Sequence, residues 1–151
     1  MEQWHLVYTK RHQETPVNHL LQKKGWETFL PGMEIERGYG RGRRLDPFFP
    51  QYIFIYVDLA STQAQELRFM TGVSKIVEFG GVPLIVPASV VDEIRSRHDE
   101  YVAFKTGVGG DMGGVVANSE SAPRTVELDS LFAAGLSGKE RSELLLYLLL
   151  K

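Results

Sequence analysis

The chain has 151 residues, 43% of them hydrophobic and 24% charged, with 17 Lys+Arg against 19 Asp+Glu for a formal net charge of −2. That length supports one domain, or one domain with a small appendage, and buries a real core. The near-neutral balance excludes a bulk polycation that coats nucleic acid, though not local basic patches. Cysteine is absent, which excludes disulfide scaffolds, Cys-based zinc sites, iron–sulfur clusters and a thiol nucleophile. It fits a reducing compartment. The N-terminus shows no basic start and no apolar stretch, so no secretory signal is expected. The longest apolar run, residues 144–150, is far short of the ~20 residues of a membrane span.

Charge and aromatic content are unevenly spread. Residues 1–44 carry eight Lys/Arg against five acids, a net of +3, and residues 108–151 carry four against six, a net of −2. Only Phe132 and Tyr147, of sixteen aromatic residues, lie beyond residue 105. The front of the chain is therefore aromatic-rich and basic at its start, and the tail is acidic and leucine-rich.

Residues 4–9 read as a strand with Trp4, Leu6 and Tyr8 on one face. Thr15-Pro16 reads as an N-cap followed by proline at the first helical position. Val17, Leu20 and Leu21 form the helix's apolar stripe, and Lys23, Lys24 and Gly25 its end. A strand follows at 26–30, stopped by Pro31-Gly32. Residues 34–37 read as a short strand and 38–44 as a glycine-rich basic turn. Tyr52 to Val57 is a β-rich strand, and the pair reads as a hairpin with the arginines at its tip. Ser61 is placed to cap a second helix reaching Met70. Residues 74–79, a Gly80-Gly81 turn and residues 82–86 read as two more strands. A third helix over 88–98 buries Val90, Val91 and Ile94.

From about Tyr101 the pattern weakens into a linker with Gly-rich and Ser/Pro-containing stretches. Leu128, Leu131 and Phe132 have helical spacing. Period alone fits residues 139–151 to strand or helix, and leucine and glutamate favour helix.

The glycine turns fail the spacing of phosphate-binding loops, because the third glycine would fall on Arg43 or Met112. His5, His12, His19 and His98 match no metal-ligand spacing, and no nucleophile elbow occurs. No constellation supports an enzyme, a metal or a cofactor. The basic cluster carries more. Arg37, Arg41, Arg43 and Arg44 lie in or beside a tip that presents Tyr39, and Lys10, Arg11 and His12 could form a second positive edge. Guanidinium groups grip phosphate bidentately and aromatic rings stack on bases. A merely solvated hairpin tip fits the same residues. Tyr8, Tyr52 and Phe54 share one face if their strands pair, and that face is either core or a partner surface.

The ordered series of motifs resembles the NusG family. Trp4-His-Leu-Val-Tyr-Thr-Lys10-Arg11, then Gly25-Trp26-Glu-Thr-Phe29-Leu30-Pro31, is similar to the start of its N-terminal domain. Pro47-Phe48-Phe49-Pro50-Gln51-Tyr52-Ile53-Phe54 resembles the family's proline–aromatic strand, and residues 71–87 its next block. The resemblance covers about residues 3–98. Lys10-Arg11 and the unusual tail look closer to the specialised RfaH-like paralogs than to general NusG.

The resemblance implies an α+β fold, an antiparallel β-sheet flanked by helices, in residues 1–100, a flexible linker at 101–124 and a C-terminal segment at 125–151. For that segment a helical hairpin, residues 128–134 against 139–150, is favoured over an incomplete KOW β-barrel. It implies a non-enzymatic, cytoplasmic, monomeric factor of transcription elongation and antitermination that suppresses pausing. Tyr8, Tyr52 and Phe54 match positions that receive the clamp helices of the largest subunit of bacterial RNA polymerase. Lys10 and Arg11 match a basic edge facing the single-stranded non-template DNA. The C-terminal segment is a candidate for ribosome contact, and Leu131, Phe132, Leu145 and Leu148 are expected to cover the polymerase-docking face. The second-helix polar motif of RfaH-like proteins is replaced here by Gln63-Ala64-Gln65-Glu66. The alternative is a single-stranded nucleic-acid or ribosome-binding module that acts without polymerase.

Overall fold

A computed structural model describes residues 1–106, 130–132 and 136–150. The elements in chain order are β1 (Gln3–Thr9), α1 (Glu14–Lys23), β2 (Glu27–Phe29), β3 (Gly32–Glu36), β4 (Arg43–Pro47), β5 (Tyr52–Val57), a 3-10 segment (Gln63–Phe69), β6 (Val73–Ile76), β7 (Glu78–Phe79), β8 (Val82–Pro83), α2 (Ala88–Thr106), a 3-10 turn (Ser130–Phe132) and α3 (Gly138–Leu149).

Four strands form the main sheet in the order β2-β5-β1-β6, each neighbouring pair antiparallel. Side chains alternate across a strand with period two, so the central strands β1 and β5 each contribute to two cores. Val7, Ile53, Ile55 and Val57 pack with Val17 and Leu21 of α1 and with Ala64 and Leu67 of the 3-10 segment. Trp4, Leu6 and Phe54 pack on the opposite side with Phe48, Phe49, Val90, Val91 and Ile94, and with Leu131 and Leu145 from the C-terminal segment. The result is an antiparallel sheet flanked by helices, and the sheets are open, with no closed barrel among the described residues.

The first helix begins at Glu14, so Thr15 and Pro16 lie inside its first turn rather than at its cap. Proline is tolerated there because the first N–H groups of a helix have no intrahelical acceptor. The first such bond runs from Val17 N–H to the Gln13 carbonyl, at 3.0 Å. Leu20 is not part of the buried stripe; it is 37% exposed, while Val17 and Leu21 are fully buried.

The basic hairpin is built differently from expectation. The return strand opposite β3 is β4, in the register Glu36↔Arg43 and Gly32↔Pro47. Tyr52–Val57 instead lies inside the main sheet between β2 and β1. Six consecutive residues that bury side chains on both faces suit a central strand, which a two-stranded ribbon cannot provide. Arg43 and Arg44 are therefore strand residues. The turn proper holds Tyr39, Gly40 and Gly42 with positive φ, closed by the Arg37 N–H bonding the Gly42 carbonyl at 2.7 Å.

Residues 74–79 do not make one strand. The chain breaks at Val77, whose N–H turns to the Leu6 carbonyl, and β7 and β8 form a small separate hairpin. The stretch expected as the second helix is 3-10, with Ser61 Oγ accepting from the Ala64 N–H at 3.2 Å. The third helix runs past residue 98 to Thr106, through the first six residues of the expected linker. Residues 107–124 lie outside the described residues.

In the C-terminal segment α3 is helical and starts with a capping box: Ser137 Oγ accepts from the Glu140 N–H, and the Glu140 carboxylate accepts from the Ser137 N–H. This reciprocal pair resolves the strand–helix ambiguity of the leucine run. In the expected first arm, the described residues Ser130–Phe132 form a single 3-10 turn. Residues 128, 129, 133 and 134 of that arm lie outside the described residues.

Candidate functional site

The register of β1 against β5 pairs Tyr8 with Tyr52 and Leu6 with Phe54. Directly opposed residues share a face, so Tyr8, Tyr52 and Phe54 lie on one side of the sheet. The two tyrosine rings stand 5.1 Å apart, tilted by 50°, and both are half-buried. Phe54 differs from them: it is fully buried, beneath Phe49 at 6.1 Å and Phe29 at 5.5 Å.

The C-terminal segment supplies part of that cover. Leu131 and Leu145 are fully buried in the cluster that holds Phe54, and Phe132, Leu148 and Tyr52 pack against the cluster. Phe132 stacks on Phe48, and Arg141 lays its guanidinium 4.2 Å from the Phe48 ring centroid. Ser142 Oγ donates to its own helix's Gly138 carbonyl at 3.1 Å and lies 3.5 Å from the Pro50 carbonyl. Gly138 seats the helix end against Pro50, since a Cβ there would come within 2.6 Å of Pro50 Cγ.

His98 of α2 fixes the other side of this face. Its Nε2–H donates to the Gly32 carbonyl at 3.0 Å, and its ring meets Phe29 and Phe48 edge-on.

A groove of about 1070 Å³ opens beside the tyrosine pair. Its walls come from the end of β1, the start of α1, the β3–β4 ribbon and α3. Arg11, His12, Arg37, Arg43 and Arg44 line it with Tyr8 and Tyr52; Lys10 and Arg41 are exposed but do not line it. Arg43 lies 3.8 Å from Glu34 and 3.9 Å from Glu36 across the ribbon, pairs that count for little at such exposure. Arg11, Arg37 and Arg44 make no ion pair among the described residues.

The turn into α1 is pinned at this groove. Gln51 and His12 both have positive φ. The Gln51 N–H donates to the buried Glu14 carboxylate at 3.2 Å, its side-chain amide to the Thr9 carbonyl at 3.0 Å, and its carbonyl accepts from the Thr9 N–H at 2.8 Å. These three bonds hold β1, α1 and β5 together where Arg11 and Tyr52 emerge.

Three groups at this site are missed by sequence reasoning. Lys75 is the cross-strand partner of Tyr8 and places Nζ 5.6 Å from its ring centroid; only the strand pairing reveals it. Lys139 and Glu143 of α3 also line the groove. Lys139 carried a signal, since a cation in the first helical turn opposes the helix dipole. Burial, then Tyr8 and the Glu143 carboxylate, push the Tyr52 phenol above its ordinary range. Among the described residues, no group of three or more His, Asp or Glu could hold a metal ion, and no helix is long and apolar enough to cross a membrane.

The described residues thus form an open antiparallel sheet with helices on both faces, an aromatic pair on one of them and a basic groove beside it. The family model described as "NusG: Transcription termination factor nusG" matches residues 2–95, and the chain belongs to the NusG family. Among solved structures it is similar to one titled "Domain interaction in Thermotoga maritima NusG", at 20% identity and a TM-score of 0.47, covering 72% of this chain and 59% of that one.

Proposed function

We propose that the protein is a transcription elongation and antitermination factor that docks on RNA polymerase through the Tyr8–Tyr52 face, in the manner of the RfaH-like branch. The carrying observation is the shared cluster of Phe54, Leu131 and Leu145. An aromatic sheet face of a NusG-family domain is covered by the chain's own C-terminal segment. In this reading the segment masks the docking face, and polymerase clamp helices replace it. The basic edge then meets single-stranded non-template DNA, and the bound factor shifts polymerase toward its pause-resistant state by differential binding, with no chemistry of its own. In this reading the region through the end of α2 at Thr106 is the docking domain, and the C-terminal segment that holds Leu131 and α3 is the mask.

Capture of core polymerase tests this. Tyr8→Ala and Tyr52→Ala are expected to abolish capture in a variant whose tail is loosened, while Arg43→Ala retains it. Phe54→Ala is a poor probe, because truncating a buried phenylalanine costs about 3–5 kcal/mol of fold stability.

The exposed cations favour one second reading, a single-stranded nucleic-acid or ribosome-binding module that acts without polymerase. Tyr39 at the hairpin tip is fully exposed beside Arg37 and Arg41. Polymerase capture that does not depend on the tyrosines, together with oligonucleotide binding that depends on the arginines, would favour it instead.

A further inference from the structure

The groove beside the tyrosine pair is not built by the N-terminal region alone. One helical face of α3, carrying Lys139, Ser142, Glu143 and Leu146, forms its remaining wall. These residues fall at i, i+3, i+4 and i+7, the spacing of one stripe. The buried leucine of the same helix, Leu145, belongs to the core instead. The helix thus docks through one face and offers a second face to the groove.

We propose that this groove is a composite site for the phosphate backbone of a single-stranded nucleic acid, and that Lys139 supplies one of its cations. Three observations carry the assignment. Arg11, Arg37, Arg44 and Lys139 all line the groove, and none makes an ion pair among the described residues. Lys139 stands in the first turn of α3, where a cation lowers the stability of an isolated helix, so the helix gains nothing from it. The groove also carries the half-buried pair Tyr8 and Tyr52, a stacking surface for bases that an acidic peptide would leave unused.

The volume, about 1070 Å³, is at the top of the range for small-ligand pockets, which suits a short run of backbone better than a free phosphate. Of the three acids in the groove, Glu14 is engaged by the Gln51 N–H. Asp46 of β4 and Glu143 of α3 oppose an incoming phosphate, against the five arginine and lysine side chains that line the same walls.

A consequence follows from linkage. A ligand that touches Lys139 only when α3 is docked binds the docked state more tightly, and so it holds the tail down. Nucleic acid met in the absence of polymerase therefore reinforces the mask. This rests on the reading that the basic edge binds nucleic acid.

The test uses the full-length protein and a fluorescent oligothymidylate of twelve nucleotides, titrated at several salt concentrations. Lys139→Ala is expected to weaken binding severalfold and to reduce the slope of log affinity against log salt by about 0.7, the value for one phosphate contact on a single strand. Glu143→Gln is expected to tighten binding, and the oligonucleotide to slow amide exchange in α3. Arg11→Ala and Arg44→Ala serve as the control for the underlying reading. If they weaken binding while Lys139→Ala and the exchange of α3 are unchanged, the composite site is wrong and the basic edge stands. If none of the three substitutions matters, or the oligonucleotide does not bind, both fall. Equal competition by poly-glutamate would also overturn the assignment, in favour of an acidic peptide.

Discussion

Phe132 stacks on Phe48, with ring centroids 4.9 Å apart and 23° between the planes. Tyr101 approaches both rings, at 5.6 Å from Phe48 and 6.1 Å from Phe132. The chain's last described segments are thus tied to the Phe48–Phe49 turn between β4 and β5 by ring contacts as well as by leucines. Such pairs contribute about 0.5–1.5 kcal/mol beyond their burial.

Leu145→Ala should loosen this contact more than any surface change to α3. A buried leucine cut to alanine costs about 2–5 kcal/mol. The loss should fall mainly on tail docking, because the core around Val17, Leu21 and Ile53 lies on the other face of the sheet. Hydrogen exchange should show α3 amides opening early while those of β1 and β5 keep their protection. Polymerase capture should rise in the same variant.

Gly138→Val offers a way to lift the helix without cutting its leucines. A Cβ at this position meets Pro50 Cγ at 2.6 Å and Cδ at 2.9 Å, and a proline ring cannot swing aside. Overpacking of this kind costs about 1–3 kcal/mol. Adding Pro50→Gly should recover part of it, so a double-mutant cycle in α3 exchange rates should be non-additive. Additivity would mean that the two residues do not touch.

His5 predicts the acid limb of stability. Its Nδ1 lies 2.9 Å from the Leu84 carbonyl, which can only accept, so Nδ1 carries the proton. Burial, the larger effect, pushes the imidazole below its ordinary 6.5, and the bond to Leu84 partly opposes this. The folded state then binds fewer protons than the unfolded one as pH falls below 6.5. Its contribution is fully present above 6.5 and is lost on acidification toward the lowered value. Urea midpoints across pH 5–8 should decline on the acid side, and His5→Gln should flatten that decline.

Glu14→Ala should cost about 1–3 kcal/mol, the penalty for leaving a part-buried donor, the Gln51 N–H, without its acceptor. Glu14→Gln keeps an acceptor oxygen and should restore much of the loss. Thermal melts of the two variants distinguish a lost hydrogen bond from a lost charge.

The parts of the fold legible in the sequence are those written by period and by turn chemistry. Trp4, Leu6 and Tyr8 alternate as expected, Tyr8 and Tyr52 do share a face, and Val90, Val91 and Ile94 are buried. The partner of the 34–37 strand was not legible. Arg43, Arg44 and Asp46 carry no strand pattern of their own, and β4 is defined by its bonds to β3 rather than by hydrophobic alternation. The spacing of the leucines in α3 suited strand or helix, whereas leucine and glutamate propensity favoured the helix that is present, begun by a capping box at Ser137. Lys75 joined the site through strand pairing, a long-range relationship that local sequence does not encode; Lys139 had a local oddity in the first turn of its helix, but its place in the groove comes from docking.

Strand β5 shows what the two-sided sheet demands of its residues. Ile53, Ile55 and Val57 face a core made with α1, whereas Tyr52, Phe54 and Tyr56 face the cluster that α3 helps to cover. One set of three is never asked to meet water; the other lies partly beneath the chain's own tail and, under the proposed function, must also accept a foreign helix. Substitution tolerance along these six positions should therefore oscillate from one residue to the next, and the code for two different duties is carried in the parity of a single strand.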